Sequence, residues 1–279
     1  MIHAVTHTTT VESPIEFGRQ LLTLEQVVAV AKGAKVKLCD DADYQEYIQK
    51  GARFIDSLLH EEGVVYGVTT GYGDSCTVNV SLDLVHELPL HLSRFHGCGL
   101  GEVLSVMQAR AVMACRLNSL AIGKSGVTYE LLKRIETLLN LNIVPVIPEE
   151  GSVGASGDLT PLSYVAASLI GERDVYHKGD IRQVADVLPE HGLTPIRLRP
   201  KEGLAIMNGT AVMTALACVA YQRAEYLTRL SSRITALASL ALKGNSNHFD
   251  DILFSVKPHP GQNEVAGWIR HDLNHHEHP

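Results

Sequence analysis

Apolar residues in this chain recur mainly at helical spacing. Residues 23–33 (TLEQVVAVAKG) open with Thr23 and, three positions on, Gln26, a capping-box pattern that predicts a helix start. Residues 41–60 bring Tyr44, Tyr47, Ile48, Ile55, Leu58 and Leu59 near one stripe. Residues 128–142 do the same with Leu131, Leu132, Ile135, Leu138 and Leu139. The segments 103–121 and 161–171 are rich in small residues and predict buried helices. A long tract from about Lys201 to Lys243 keeps the helical spacing, with few breakers after Gly209 and little charge. Such a helix suits the interior of a bundle or an oligomer core. Strand and turn signals near 173–200 predict a small hairpin. The fold class is therefore mainly α.

Glycine-rich or proline-flanked loops separate these segments: 63–75 (GVVYGVTTGYGDS), 97–101 (GCGLG) and 145–161 (PVIPEEGSVGASGDLTP). The last holds Gly151, Gly154 and Gly157, which open backbone conformations closed to other residues. Thr160 as N-cap with Pro161 at the first helical position predicts a helix start there. Ala155-Ser156-Gly157 then lies just ahead of a helix N-terminus, where negative charge is favoured. This tripeptide has the composition for a backbone cyclisation. The Gly157 nitrogen would attack the Ala155 carbonyl carbon, and the Ser156 hydroxyl would leave as water to give an exocyclic alkene. Asp158 is placed to move protons during such a closure. Taken alone, so short a pattern is far better explained as a flexible loop with a helix cap. Other motifs fail: a serine-hydrolase elbow needs glycine where Asp158 stands. Gly123-Lys124-Ser125 lacks the P-loop glycine at Asn118, and Gly71-x-Gly73 lacks the dinucleotide-binding glycine at Cys76.

A formal net charge of -7 argues against nucleic acid or an anionic membrane as partner. No apolar stretch of 18 residues is free of charged or strongly polar groups, so no membrane span is expected. The N-terminus shows no signal-peptide pattern, and a cytoplasmic location is the default expectation. Cys39, Cys76, Cys98, Cys115 and Cys218 form no C-x-x-C pair and predict buried free thiols rather than a zinc site or disulfides. The cluster His271, His275, His276 and His278 predicts a solvated tail, so no metal is expected.

GSVGASGDLTPLS resembles the signature of the aromatic amino-acid ammonia-lyases and the related aminomutases. Three further blocks are similar to that family and occur in its order: YGVTTGYG (66–73), RLNSL (116–120) and KEGLAIMNGT (201–210). The resemblance runs from about residue 20 to about 270. It implies an N-terminal lyase domain over 1–200, with loops and a small hairpin, and the start of a central helical bundle over 201–279. It further implies that Ala155, Ser156 and Gly157 form 4-methylidene-imidazol-5-one (MIO), with no external cofactor. Tyr66 would be the catalytic base and Asn208 a hydrogen-bonding partner of the electrophile. Glycines 67, 71 and 73 would let the Tyr66 loop close over the ligand, and Gly73 would line the substrate. A free phenol, with a pKa near ~10, is a weak base at pH 7, so this role needs a supporting environment or a relay.

The reaction implied is elimination of ammonia from an aromatic L-amino acid to a trans-2-enoate. Phe95-His96 stand at the family's selectivity position. His96 matches the histidine-specific pattern and Phe95 departs from it. L-Histidine, giving trans-urocanate, is the favoured substrate. The alternatives are phenylalanine or tyrosine, an aminomutase, or an inactive fragment. Family members are roughly twice this long. The resemblance implies a C-terminal half or partner subunit carrying an arginine that clamps the substrate carboxylate, and a homotetramer in the full-length form. Without that half, the tract 201–243 is expected to expose a large apolar face.

Overall fold

The structure is a computed structural model that describes residues 13–61, 64–81, 83–155 and 157–274. By contacts it divides into two compact units, residues 1–219 and 220–279.

The first unit opens with a short parallel pair, β1 (Ile15–Phe17) and β2 (Val36–Leu38), joined through α1 (Leu24–Ala31). Thr23 and Gln26 form the expected capping box at the start of α1. α2 (Ala42–Glu61) follows, and Tyr44, Ile48 and Ala52 bury one of its faces. α3 (Leu88–His96), which the sequence pattern does not predict, runs into β3 (Leu100–Val103). α4 (Val106–Ala121) starts three residues later than its apolar pattern, because Ser105 and Gln108 make a capping box there. It is buried on nearly every side, as its small residues require, and α1 and α5 (Tyr129–Leu141) pack against it.

Arg110 lies inside this core. Its guanidinium donates to the carbonyls of Val30, Ala34 and Leu139 and to Asn142 Oδ1. A buried charge is tolerated only with such pairing.

β4 (Val144–Pro145) and β5 (Pro148–Glu150) precede α6 (Leu159–Leu169). β6 (Asp174–His177) and β7 (Asp180–Gln183) then form the expected antiparallel hairpin, with β4 on the other side of β6. β5 pairs with β3 through Leu100↔Glu150 and Val103↔Pro148. α7 (Val184–Glu190) leads to α8 (Glu202–Met207) and α9 (Ala211–Ala241). The tract read as one helix is thus broken at residues 208–210. Gly209 has a φ of +145°, which no helix can hold.

The division between the units falls inside α9, and α8 packs against α3, α4 and α6 of the first unit. The run Glu202–Ala241 is long and apolar enough to cross a membrane by length and composition. Its early residues, among them Ile206, Met207, Ala215 and Val219, are core residues of the first unit.

In the second unit, α10 (Asp251–Ser255) packs on α11 (Pro260–Asn274). Here α9 carries Leu227, Leu230, Ile234 and Leu237, all exposed and three or four residues apart. That spacing makes one apolar stripe, so the expected uncovered face is present. The tail residues His275, His276 and His278 lie outside the described residues.

The five cysteines are free, but they are not uniformly buried as expected. Cys115 is buried, and Cys76 and Cys98 are exposed because they fall in the loops 73–77 and 97–99.

Candidate active site

The 151–158 loop is anchored from its far end. Asp158 is buried and is itself the N-cap of α6, so the helix starts two residues before the expected Thr160-Pro161 position. Proline's fixed φ is compatible with any position in the first turn, which is why Pro161 did not mark the boundary. The Asp158 carboxylate does not cap its own helix. Its Oδ2 accepts from the backbone N–H groups of Val212 and Met213, each at 3.0 Å, at the start of α9. Oδ1 accepts from Ser152 Oγ at 2.8 Å, and the Asp158 amide donates to Gly209 carbonyl at 2.7 Å. α9 has no acidic residue in its first turn, and Asp158 supplies the missing charge from outside. In this structure the Asp158 carboxylate clamps the loop to the start of α9.

Arg116 lies behind the same turn. Burial pulls its pKa down to about 10, and Asp158 opposes that shift. Asp158→Ala is expected to lower stability by about 3 kcal/mol, because it frees two helix amides and leaves a buried guanidinium without its counter-charge. A lower urea midpoint at unchanged m-value would record the loss; an unchanged midpoint would contradict the clamp.

Gly157 is pressed onto Gly209. Its φ is +133°, and a Cβ placed there would lie 2.5 Å from the Gly209 nitrogen. The loop is thereby held against the residue that follows Asn208. Asn208 caps the C-terminus of α8; its side chain is exposed and makes no hydrogen bond among the described residues. Ala155 is exposed. Ser156 lies outside the described residues.

The Tyr66 loop is a folded turn rather than a slack strap. The hydroxyls of the buried Thr69 and Thr70 accept from the backbone amides of Val65 and Gly67. Gly67, at φ +64°, approaches Leu204 of α8 so closely that a Cβ would sit 2.7 Å from its Cδ2. Tyr66 is half exposed, and the Gly73 amide donates to its phenol oxygen at 3.1 Å. This amide leaves the phenol hydrogen free to face outward. Burial raises the pKa of neighbouring Tyr72, and Tyr66 adds to the rise. Thr69, Thr70 and the Gly73 amide are the parts of this loop that sequence reasoning missed; the TT doublet was their only trace.

Phe95 and His96 end α3. Phe95 is almost fully exposed. His96 Nδ1 pairs with the Leu92 carbonyl at 3.1 Å. A carbonyl can only accept, so Nδ1 carries the hydrogen, and it is Nε2 that faces away from the helix backbone bond. The loop after His96 is fixed by Arg173, whose Nη1 donates to Gly97 carbonyl, and by Tyr164, whose hydroxyl accepts from the Gly99 amide.

α8 and the residues just after it therefore meet two of the three loops, Gly67 through Leu204 and Gly157 through Gly209. The loop after His96 joins the third connection: a Cβ at Gly151 would lie 3.4 Å from Gly99 Cα.

The sequence profile described as aromatic amino acid lyase matches residues 22–278. The chain belongs to the aromatic amino acid lyase family. Human histidine ammonia-lyase is 40% identical over 270 residues, covering 96% of this chain and 41% of that protein. The Staphylococcus aureus (strain bovine RF122 / ET3-1) histidine ammonia-lyase is 39% identical over 252 residues, covering 90% and 50%. Among solved structures, the tyrosine aminomutase from Streptomyces globisporus superposes with a TM-score of 0.87 at 38% identity, covering 93% of this chain and 49% of that one. The histidine ammonia-lyase from Trypanosoma cruzi superposes at 0.83 and 32% identity, covering 92% and 50%. This member of the aromatic amino acid lyase family spans about half the length of the relatives it matches. Its helical architecture is the one those lyases and aminomutases share.

Proposed function

We propose that this chain supplies one half of an active site that eliminates ammonia from an aromatic L-amino acid, with L-histidine to trans-urocanate as the favoured reaction. The observation that carries the reading is Gly157 seated on Gly209, where only glycine fits. A tight bend at Gly157 is what closure of a backbone ring requires. MIO formed from Ala155, Ser156 and Gly157 would supply a carbon electrophile that turns the substrate's ammonia into a leaving group.

The remaining roles fall to side chains of this chain. Tyr66 takes the β-proton, with the Gly73 amide supporting negative charge on its oxygen. Asn208, with its amide free, donates toward the electrophile. His96 Nε2 accepts from an imidazole N–H or a phenol O–H of the substrate, and Phe95 offers an apolar wall. The family's histidine ammonia-lyases support histidine over other substrates. An aminomutase is the second reading, favoured by the superposition on tyrosine aminomutase; the same residues would serve re-addition of ammonia.

Tyr66, Phe95, Ala155 and Asn208 are all exposed. This site is then the open floor of one completed by a C-terminal half or partner subunit, in a cytoplasmic homotetramer. The tract from residue 201 begins the central bundle of that assembly, and the stripe Leu227–Leu237 packs inside it.

Intact mass tests the cyclisation directly. The wild-type chain is expected to weigh two waters less than its sequence and to show near-ultraviolet difference absorbance. Ser156→Ala should abolish both. A wild-type chain at its uncyclised mass removes the electrophile and the reading with it. Product assays for urocanate, cinnamate and coumarate, with the missing half supplied, then separate the substrates.

A further inference from the structure

The β6–β7 hairpin and the end of α7 gather three metal-ligating side chains that serve no role in the site above. His177 closes β6 and is 2% exposed. Glu190 ends α7, and His191 is its C-cap. The Nε2 atoms of the two histidines face each other at 3.1 Å, with their rings nearly perpendicular at 87°. One ligand atom from each of His177, Glu190 and His191 lies within 4.8 Å of the others.

We propose that His177, Glu190 and His191 form a zinc site that pins the end of α7 to the hairpin, with water in the fourth position.

Tetrahedral zinc holds imidazole nitrogens at ~2.0–2.1 Å, which places two of them roughly 3.3 Å apart. The observed separation is close to that edge. Glu190 must close in further, and its side chain is exposed enough to do so. Arg182 holds Oε1 and leaves Oε2 with only a long contact to Lys178, at 3.6 Å. An outer partner of this kind orients a carboxylate ligand while leaving its second oxygen available. Lys178 is exposed and can turn outward.

His177 Nε2 is the ring atom that faces His191, and packing buries the rest of the ring. Two imidazoles and one carboxylate with an open position form a donor set suited to zinc rather than to magnesium or calcium. Nothing in the local sequence signals it, because a turn and a helix separate His177 from Glu190 and His191.

The test uses the full chain with His275, His276 and His278 changed to glutamine, so that the tail cannot bind metal. After chelator treatment, Zn2+ is titrated by calorimetry, and Co2+ is added to a parallel sample for its absorption spectrum. The expected result is one ion per chain, tetrahedral cobalt bands, and a higher unfolding midpoint with zinc. His191→Gln should weaken zinc binding at least about tenfold and remove the bands. Glu190→Gln, on an exposed side chain, should weaken it with the fold intact by circular dichroism. Absence of stoichiometric zinc, or equal binding in both variants, would show that the two imidazoles only share a hydrogen bond. Neither outcome depends on the lyase reading, which the Ser156→Ala mass comparison tests separately.

Discussion

Gly157→Ala is expected to leave the chain at its uncyclised mass and to lower its stability by about 3–5 kcal/mol. Two costs add. A φ of +133° is open to glycine and strained for alanine. The new methyl group would also sit 2.5 Å from the Gly209 nitrogen and 2.6 Å from its oxygen, both backbone atoms. Gly209 is itself closely packed, since a Cβ on it would lie 2.5 Å from the Arg116 guanidinium. Relief requires lifting the loop, and that breaks the Asp158 amide bond to Gly209 carbonyl. A lifted loop no longer holds the bend that ring closure needs. Gly154→Ala is the control. Gly154 also has a positive φ, +67°, yet nothing lies within 4 Å of its missing Cβ. It should cost about 1–2 kcal/mol in backbone strain and still lose two waters. Mass spectrometry and urea unfolding separate the two variants. A Gly157→Ala chain that cyclises as the wild type does would show that seating on Gly209 is not what shapes the loop.

The helices were legible because their signals are local. Thr23 with Gln26, the stripe of Leu131, Ile135 and Leu138, and the small residues of α4 each announce a helix within a few turns of chain. The hairpin at 174–183 was legible for the same reason. α3 was not, since the Leu88–His96 segment alternates apolar and polar residues without a clean stripe and is held in place by packing on α6 and α8. The break at Asn208–Thr210 was hidden by apolar residues on both sides. It exists because Asp158, some fifty residues earlier in the chain, caps the helix that follows. The proposed site residues rest on types and spacings: Tyr66 between glycines, the Ala-Ser-Gly triplet, the asparagine before Gly209. What ties them together was not readable. The contacts of Gly157 with Gly209, Gly67 with Leu204 and Gly151 with Gly99 are long-range, and each depends on the absence of a side chain. The His177, Glu190 and His191 cluster is long-range in the same sense.

Tyr66→Phe is the counterpart to the glycine variant, since it should remove chemistry and leave structure alone. Among the described residues the phenol oxygen has one partner, the Gly73 amide, at a solvent-exposed position. Losing that bond should change stability by less than about 1 kcal/mol. The loop keeps its own supports, Thr69 on Val65 and Thr70 on Gly67. Residues 155–157 are untouched, so the variant should still weigh two waters less than its sequence. Ammonia release by a protein completed with its C-terminal half should nevertheless fall by ~10²–10⁴-fold, the range for losing a positioned general base. The loss should appear in kcat, with KM moved little, because the phenol acts on a proton in flight and not on the bound substrate. A tyrosine that only packed would give the opposite pattern, with lower stability and a nearly normal kcat. Intact cyclisation with a collapsed rate would separate the base from the electrophile, which the proposed reading places on different loops of one helix-anchored floor.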